Sequence, residues 1–385
     1  MDKKSKEQPT AAKTNRHRRS TRSKSEHREQ TSTAKKAPKL NKKKGNSTST
    51  EASQVTKKTL KSASNGNNGP PTVHSPDNVQ PATFNPDDQK KNNVARDFVE
   101  HLAVVTYKTQ YEDLRAIQAP LDQCKIWAAN MNRNQTDNYP CFDANRVVLQ
   151  MCKQDYINAT VVSLEGFPSV ILTQVPVFSE PSAVEEFWRM IFHEQITAVH
   201  LLCKSEETPF RFGELFPLNT GAYQYFGSMF INNRKTSRDN PDIIKYSIEV
   251  LPEGCSNAVM TTVHHHGYWD PLLGPSKFRP ALTTANQIHH GFEKTAIVSL
   301  NGAGRAGTLL ALSVALKNLQ DGIEPNMKEI VQKIRLKRPL AVDSMQQFGF
   351  LYLAFLHHIK RRVPVDLQEK VKEFKQLCSE ATSGD

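Results

Sequence analysis

The sequence predicts an α/β fold, because an apolar strand, a glycine-rich turn and an apolar helix follow one another over residues 295–319. Residues 296–298 (AIV) are apolar and partly β-branched, which suits a buried strand. Residues 307–319 (GTLLALSVALKNL) are apolar nearly all round, so the helix they form should be largely buried. The turn between these elements contains Arg305 and contains no cysteine.

This turn has the character of an anion-binding loop. The backbone N–H groups of residues 300–305 should converge at the N-terminus of the helix, where they attract phosphate. The planar, charged guanidinium of Arg305 strengthens that attraction. The predicted phosphate-binding residues are Ser299, Leu300, Asn301, Gly302, Ala303, Gly304 and Arg305.

Two families build such a loop, and the first binds dinucleotides. Gly302, Gly304 and Gly307 satisfy the pattern G-x-G-x-x-G after a strand. A dinucleotide fold also needs a second strand after the helix, ending in an acidic residue about 20 residues on. Here Asp321 and Gly322 end the helix, and residues 326–335 (NMKEIVQKIR) are typical of another helix, so the βαβ unit does not close.

The second family is the protein tyrosine phosphatases, whose phosphate loop reads C-x5-R. Ser299 to Arg305 fits this loop with serine in the cysteine position. Five other segments between about residues 94 and 362 resemble motifs of the family's tyrosine-specific domain. They are 142–147 (FDANRV), 155–159 (DYINA), 187–190 (FWRM, followed by an apolar strand at 197–202), 334–338 (IRLKR) and 347–350 (QFGF, with Phe348 for tyrosine). The resemblance implies a central mixed, twisted sheet flanked by helices.

Composition divides the chain into three parts: a basic tail (1–90), the phosphatase-like domain (91–363) and a helical or flexible extension (364–385). No aromatic residue occurs before Phe84, so the tail is expected to be disordered. Residues 1–62 contain 19 Lys and Arg against 5 Asp and Glu, a net charge of +14. Because the whole chain has a net charge of +12, the remaining residues carry a net charge of −2. Runs such as 16–19 (RHRR) and 42–44 (KKK) suit nuclear import, nucleic acid, anionic lipid or acidic protein, and a solvated tether is the alternative.

The resemblance also implies a mechanism, in which a cysteine thiolate attacks phosphorus and forms a covalent phosphoenzyme. Ser299 replaces that nucleophile, and a serine hydroxyl needs an adjacent base. The histidine that usually precedes the cysteine is Val298, and the hydroxyl residue that usually follows the arginine is Ala306. Neither the nucleophile nor its support is present.

The remaining catalytic positions are altered as well. The family's W-P-D-x-G-x-P loop keeps Trp269 here but has Pro271 where the general acid belongs. Asp270 lies one position early, which in an extended segment reverses the side-chain direction. Asp343 takes the place of the glutamine that positions water, four residues before the retained Gln347. The degenerate positions are therefore Ser299, Asp270, Pro271, Asp343 and Ala306.

These substitutions predict a catalytically inactive pseudophosphatase, involved in signalling, that binds or shields a phosphorylated or acidic protein. The alternative is a phosphate-independent interaction scaffold with a vestigial pocket, in which Arg305 pairs with a carboxylate such as Asp343. An active protein tyrosine phosphatase is a third alternative.

Recognition of the phosphotyrosine ring is a separate question. In the family, a tyrosine in an N-R-Y segment stacks on the ring. Residues 132–134 (NRN) resemble this segment but have Asn134 in place of the tyrosine, and counting back from Asp143 gives Thr136 instead. Tyr139 is the one aromatic close enough in sequence to substitute. Weaker ring selectivity would admit other phosphorylated or acidic groups.

The six cysteines are scattered without metal-ligand spacing, and neither a signal peptide nor an apolar run of transmembrane length occurs. We therefore expect an intracellular protein, cytoplasmic, nuclear or both. His264, His265 and His266, with 289–290 (HH) nearby, suggest metal. Consecutive strand residues alternate faces, however, and cannot all reach one ion. We expect neither a metal nor a cofactor.

Overall fold

The fold is described here from a computed structural model, which covers residues 85–207, 209–271 and 273–382. All of them belong to one compact unit, Val79–Asp385. The predicted basic tail lies outside the described residues as far as residue 84. Among the described residues, no helix is both long and apolar enough to span a membrane.

The described strands form one mixed sheet in the order β1-β2-β3-β9-β4-β8-β7-β6-β5. The four central strands, β3, β9, β4 and β8, are parallel, and the flanking pairs are antiparallel. The strands are β1 Arg146–Val148, β2 Tyr156–Val162, β3 Val170–Gln174, β4 Ala198–Leu201, β5 Tyr223–Phe226, β6 Met229–Ser237, β7 Ile244–Pro252, β8 Val259–His265 and β9 Thr295–Ser299. The predicted mixed sheet is confirmed.

Helices cover both faces of this sheet. They are α1 Pro86–Glu100, α2 Val104–Arg115, α3 Lys125–Ala128, α4 Ala183–His193, α5 Phe212–Leu215, α6 Phe278–His290, α7 Gly304–Asp321, α8 Met327–Arg335, α9 Met345–Ile359 and α10 Gln368–Thr382. The central strands separate two apolar cores. In β9, Ile297 packs into the core that contains α7, whereas Ala296 and Val298 face the core that contains α4, as alternation along a strand requires.

The strand, turn and helix predicted at residues 295–319 are confirmed. β9 contains residues 296–298, and α7 begins at Gly304, three residues before the predicted start. The helix is buried along most of its length, as its apolar sequence indicates. A second helix, α8, follows instead of a strand, with Asn326 capping its first turn. The dinucleotide-binding alternative is therefore excluded by topology.

Both ends of the described region are helical. Residues 86–90, which composition placed in the tail, form the first turn of α1, where Asn85 accepts a hydrogen bond from Asp87 N. The predicted C-terminal extension contains α10, whose Phe374 packs on Tyr107 and Tyr352. Aromatic packing thus holds α10 against α2 and α9.

Candidate anion-binding site

The turn after β9 follows a path that only glycine permits at residue 302. Gly302 has φ 65°, and a Cβ atom there would collide with the backbone of Thr173 and Gln174 in β3. Its N–H donates to Ser299 O at 3.1 Å, which closes the turn. The glycine therefore lets the chain double back against the sheet before α7 begins.

Arg338 holds the turn from behind. Its Nε donates to Gly302 O at 3.0 Å and its Nη2 to Asn301 O at 2.8 Å. The side chain is fully buried, and Nη1 also donates to Asn158 Oδ1. The carbonyl groups thus point away from the cavity, towards Arg338. The sequence placed Arg338 in a family motif but did not assign it this contact.

The turn leaves several backbone donors without an intramolecular partner. Within residues 85–382 as described, no hydrogen bond from the N–H groups of Asn301, Ala303, Gly304, Arg305 or Ala306 is present. Gly307 is the first residue of the turn to donate within the helical ladder, to Ala303 O. The first N–H groups of any helix lack such partners. Of these residues, Asn301, Gly304 and Arg305 line a cavity of about 140 Å³, whose other lining residues are Ser299, Leu300, Glu207, Pro271, Asp343 and Gln347.

Ser299 ends β9 at the wall of this cavity and is 2% exposed. Its hydroxyl makes no hydrogen bond to any described residue, so no general base contacts it. The residue before it, Val298, is buried in the core. Ala306 is fully buried and has no hydroxyl to offer. The hydroxyl of Ser299 is therefore positioned in the cavity without a group to activate it.

No cysteine takes over the position of Ser299. Cys203 is fully buried, and burial raises the pKa of its thiol to about 12 although the charge of Arg305 lowers it. A thiol with that pKa stays protonated at neutral pH. Cys141 lies beneath β2, where its Sγ is 3.2 Å from Thr160 Oγ1, and it does not line the cavity.

Arg305 forms a two-point ion pair with Glu207. Nη1 donates to Glu207 Oε2 at 2.7 Å, and Nη2 donates to Oε1 of the same carboxylate. Both side chains are buried, at 5% and 7% exposure. Burial lowers the pKa of Arg305, but the hydrogen bond and charge of Glu207 outweigh it and raise the pKa. The carboxylate partner suggested for Arg305 at Asp343 is therefore wrong: the partner is Glu207.

Asp343 projects into the cavity above the start of α7. Its Oδ2 accepts a 2.7 Å hydrogen bond from Tyr139 Oη, while Oδ1 is buried with no partner among the described residues. The side chain lies so close to Gly304 that a Cβ atom there would collide with it. Burial raises the pKa of Asp343, although Tyr139, Arg305 and Gln347 favour the charged form.

The backbone before Asp343 is held in an unusual conformation. Val342 has φ 60°, which is strained for a β-branched residue. Arg335 fixes this segment, since its Nε donates to Ala341 O at 2.8 Å and its Nη2 to Val342 O at 2.6 Å. Gln347 Oε1 accepts from Asp343 N at 3.1 Å. These contacts fix the direction of the Asp343 side chain.

The segment expected to supply the general acid places proline at the cavity. Pro271 lines the cavity, whereas Asp270 forms an ion pair with Lys204 and does not line it. Trp269 is fully buried and packs on Phe350, which anchors the segment. The carboxylate of Asp270 therefore faces Lys204 and not the loop.

The residues considered for ring stacking lie in different places. Asn134 is buried, and its Oδ1 accepts from Tyr156 Oη at 2.6 Å and from Asn158 Nδ2 at 2.9 Å, so it has a structural role. Tyr139 does not line the cavity itself, but its hydroxyl donates a hydrogen bond to Asp343, which does. Thr136 is not among the residues that line the cavity.

The three consecutive histidines divide between the faces of the sheet. His264 and His266 have ring centroids 4.9 and 5.3 Å from that of His200, whereas His265 packs against Phe212 on the other face. His266 Nε2 lies 3.1 Å from His200 Nδ1. Burial lowers the pKa of all these imidazoles. Over the described residues, no group of three or more His, Cys, Asp or Glu has a geometry suited to a metal ion.

Two comparisons, with a family model and with individual proteins, show what this chain is similar to. A family model described as protein-tyrosine phosphatase matches residues 130–357, more than half of the 385-residue chain. Two putative tyrosine-protein phosphatases of Caenorhabditis elegans are 32% and 31% identical to it, over 67% and 69% of this chain and 64% and 62% of their own lengths. Tyrosine-protein phosphatase non-receptor type 2 of Rattus norvegicus is 25% identical over 63% of this chain and 60% of its own. The chain thus spans less than two thirds of each of these relatives.

Proposed function

Because the chain belongs to the protein-tyrosine phosphatase family, we propose that it is a catalytically inactive member that binds or shields a phosphorylated protein without hydrolysing it. Different residues support the absence of catalysis and the binding of phosphate. Inactivity rests on the nucleophile, acid and water positions, and binding rests on the backbone of the loop.

The proposed lack of activity rests first on the absence of a nucleophile. A serine hydroxyl attacks phosphorus only when an adjacent base removes its proton. No described residue accepts a hydrogen bond from Ser299, and the thiol of Cys203 is held in its protonated form by burial. The cavity therefore offers a phosphoryl group no nucleophile that is active at neutral pH.

The general acid and the residue that positions water are absent from the cavity as well. Pro271 lines the cavity where an acid would protonate the leaving oxygen, and Asp270 is paired with Lys204. Loss of a general acid typically removes a factor of about 10²–10⁴ in rate. Asp343 brings a carboxylate to the position expected to orient water, where it would repel a phosphoryl group.

The proposed binding of a phosphate group rests on the backbone donors of the loop that have no acceptor. This is the observation on which the proposed function depends. Five N–H groups of the loop, those of Asn301, Ala303, Gly304, Arg305 and Ala306, have no protein acceptor among the described residues. A guanidinium has five N–H donors, of which the Glu207 pair uses two. Donors without acceptors are costly, and an anion at the start of α7 would satisfy those of Asn301, Gly304 and Arg305, which line the cavity.

The charge of the cavity favours a second candidate function, the phosphate-independent scaffold. The lining residues include two carboxylates, Glu207 and Asp343, against one cation, Arg305. Two like charges several Å apart at an effective dielectric of about 20 repel by roughly 2–4 kcal/mol. If Asp343 outweighs the backbone donors, the loop keeps its shape without a ligand and other surfaces bind the partner.

A thermal denaturation experiment separates the two candidates. A ligand that prefers the folded state raises the melting temperature by mass action. We expect phosphotyrosine to raise the melting temperature of the full chain, unphosphorylated tyrosine to leave it unchanged, and Arg305→Met to abolish the shift. If phosphotyrosine has no effect while a partner is still captured in the presence of competing phosphate, the scaffold is the correct function.

The described lining of the cavity contains no aromatic side chain, and Tyr139 is connected to it through the hydrogen bond of its hydroxyl to Asp343. We infer that the cavity selects for phosphate more strongly than for the tyrosine ring, and that phosphoserine or acidic groups compete. The partner is then an intracellular phosphorylated protein, and the basic tail is proposed to bind a polyanion, either nucleic acid or anionic lipid.

A further inference from the structure

A second concave site lies at the opposite end of α9 from Asp343, where α9 passes into α10. It has a volume of about 420 Å³. Val363 and Val371 are buried and form an apolar floor. The other lining residues are Lys360, Arg361, Gln368, Lys372 and Lys375. None of the loop or cavity residues described above belongs to it.

Most of the cations in this basic pocket have no carboxylate partner among the described residues. Its described lining contains four cations and no carboxylate. Lys372 pairs with Glu369, but both side chains are at least 70% exposed, so the pair contributes little. Lys360, Arg361 and Lys375 form no ion pair with any described residue. The concave shape concentrates their potential at one point.

Helix ends explain only part of this cluster. Lys360 and Arg361 follow α9 directly, where the negative end of the helix dipole favours cations. Lys372 and Lys375 lie within α10 and have no such explanation. At a spacing of three residues they are neighbours on one helix face and repel each other. Their repulsion would be relieved by an anion bound between them.

We propose that this basic pocket binds a ligand with several phosphate groups on a small ring or chain, such as an inositol polyphosphate or the headgroup of a phosphoinositide. Four cations around one concavity match a cluster of phosphates better than a single carboxylate, which would leave most of them unpaired. The apolar floor accommodates the carbon skeleton of the ligand. The pocket is independent of the loop at Ser299, and its function does not require that loop to bind phosphate.

Hydrogen exchange on the full chain tests the proposal, because it locates the binding site even if other basic segments bind the same probe. We expect inositol hexakisphosphate to slow amide exchange in residues 360–375. Vesicles containing phosphatidylinositol 4,5-bisphosphate form a second arm. Protection by the free probe alone indicates a soluble ligand, and protection by vesicles as well indicates a membrane headgroup. The absence of protection with both probes overturns the proposal.

Matched charge variants complete the test. Lys360→Gln with Lys375→Gln should weaken the binding that protects residues 360–375 by about tenfold or more, since charge-assisted contacts are lost. Lys153→Gln with Lys333→Gln removes the same net charge from exposed lysines elsewhere and should change the affinity by less than about twofold. An equal loss in both variants would show non-specific attraction and would also overturn the proposal.

Discussion

The hydroxyl of Tyr139 donates a 2.7 Å hydrogen bond to the carboxylate of Asp343, across 204 residues of sequence. This bond holds a carboxyl group above the first residue of α7, beside the N–H groups of the loop that have no acceptor among the described residues. The protein therefore places one of its own carboxyl groups beside the loop that we propose binds phosphate. Under that proposal, Asp343 competes with an external ligand for the loop.

Asp343 should make stability depend on pH. Its pKa is raised in the folded state, so the stability that its proton provides is present at low pH and is lost as the pH rises through the folded pKa. Asp343→Asn removes this loss. We expect the stability advantage of the variant over the natural chain to be larger near pH 7 than near pH 4, by about 1–3 kcal/mol, because Asn has no buried charge to form as the pH rises.

Urea unfolding at both pH values measures this difference. Asp366→Asn, at an exposed carboxylate near α10, serves as the control and should change stability by less than about 0.5 kcal/mol. A stabilisation by Asp343→Asn that is equal at both pH values would contradict a role for the buried charge.

Restoring the nucleophile alone should not restore an enzyme. Ser299→Cys leaves Pro271, Ala306 and Asp343 in place, so p-nitrophenyl phosphate should be hydrolysed only marginally. Adding Ala306→Ser, Asp343→Gln and an exchange of Asp270 with Pro271 should raise the rate by at least about 10²-fold, because a general acid is restored. Robust turnover by the natural chain that Ser299→Ala abolishes would falsify the inactive assignment.

Arg338 should be required for the shape of the loop. Arg338→Met removes the donors to the buried carbonyl groups of Asn301 and Gly302, at about 1–3 kcal/mol each, so we expect at least about 2 kcal/mol of destabilisation. Arg234→Met breaks an ion pair whose arginine is 58% exposed and should cost less than about 1 kcal/mol. Chemical denaturation of both variants measures the difference, and equal effects would exclude a special role for Arg338.

Truncation from the N-terminus should leave the stability of the fold unchanged only as far as the start of α1. Deletion of residues 1–84 leaves α1 intact with its Asn85 cap, so the melting temperature should change by less than about 2 °C. Deletion of residues 1–100 removes the buried side chains of Val94, Phe98 and Val99 and should lower it by several times that amount. A large shift in the shorter deletion would show that the tail packs on the rest of the chain.

Local sequence signals were sufficient for the fold and for placing Ser299, Pro271 and Asp343 at one cavity. Ser299, Ala306 and Pro271 are read from short motifs whose spacing fixes their places relative to β9 and α7. The motif around Gln347 likewise placed Asp343 at the site. These assignments need no knowledge of contacts between distant segments.

The hydrogen-bond and ion-pair partners of the site residues could not be predicted from local motifs. Glu207 pairs with Arg305 across 98 residues, and several acidic residues of the sequence would have served equally well. The contact of Tyr139 with Asp343 depends on where the irregular segment after Arg133 meets the turn before α9. Both pairs are products of tertiary packing, which leaves no periodic pattern in the sequence.

The proposed function requires that the loop binds a phosphorylated protein and leaves its phosphate ester intact. Isothermal titration of the full chain with a phosphotyrosine peptide, followed by mass spectrometry of the recovered peptide, tests both parts in one sample. We expect saturable binding that is weakened about tenfold or more by Arg305→Met, strengthened by Asp343→Gln, and accompanied by recovery of intact phosphopeptide. Absence of binding in all three proteins, or recovery of dephosphorylated peptide from the natural chain, would contradict the account.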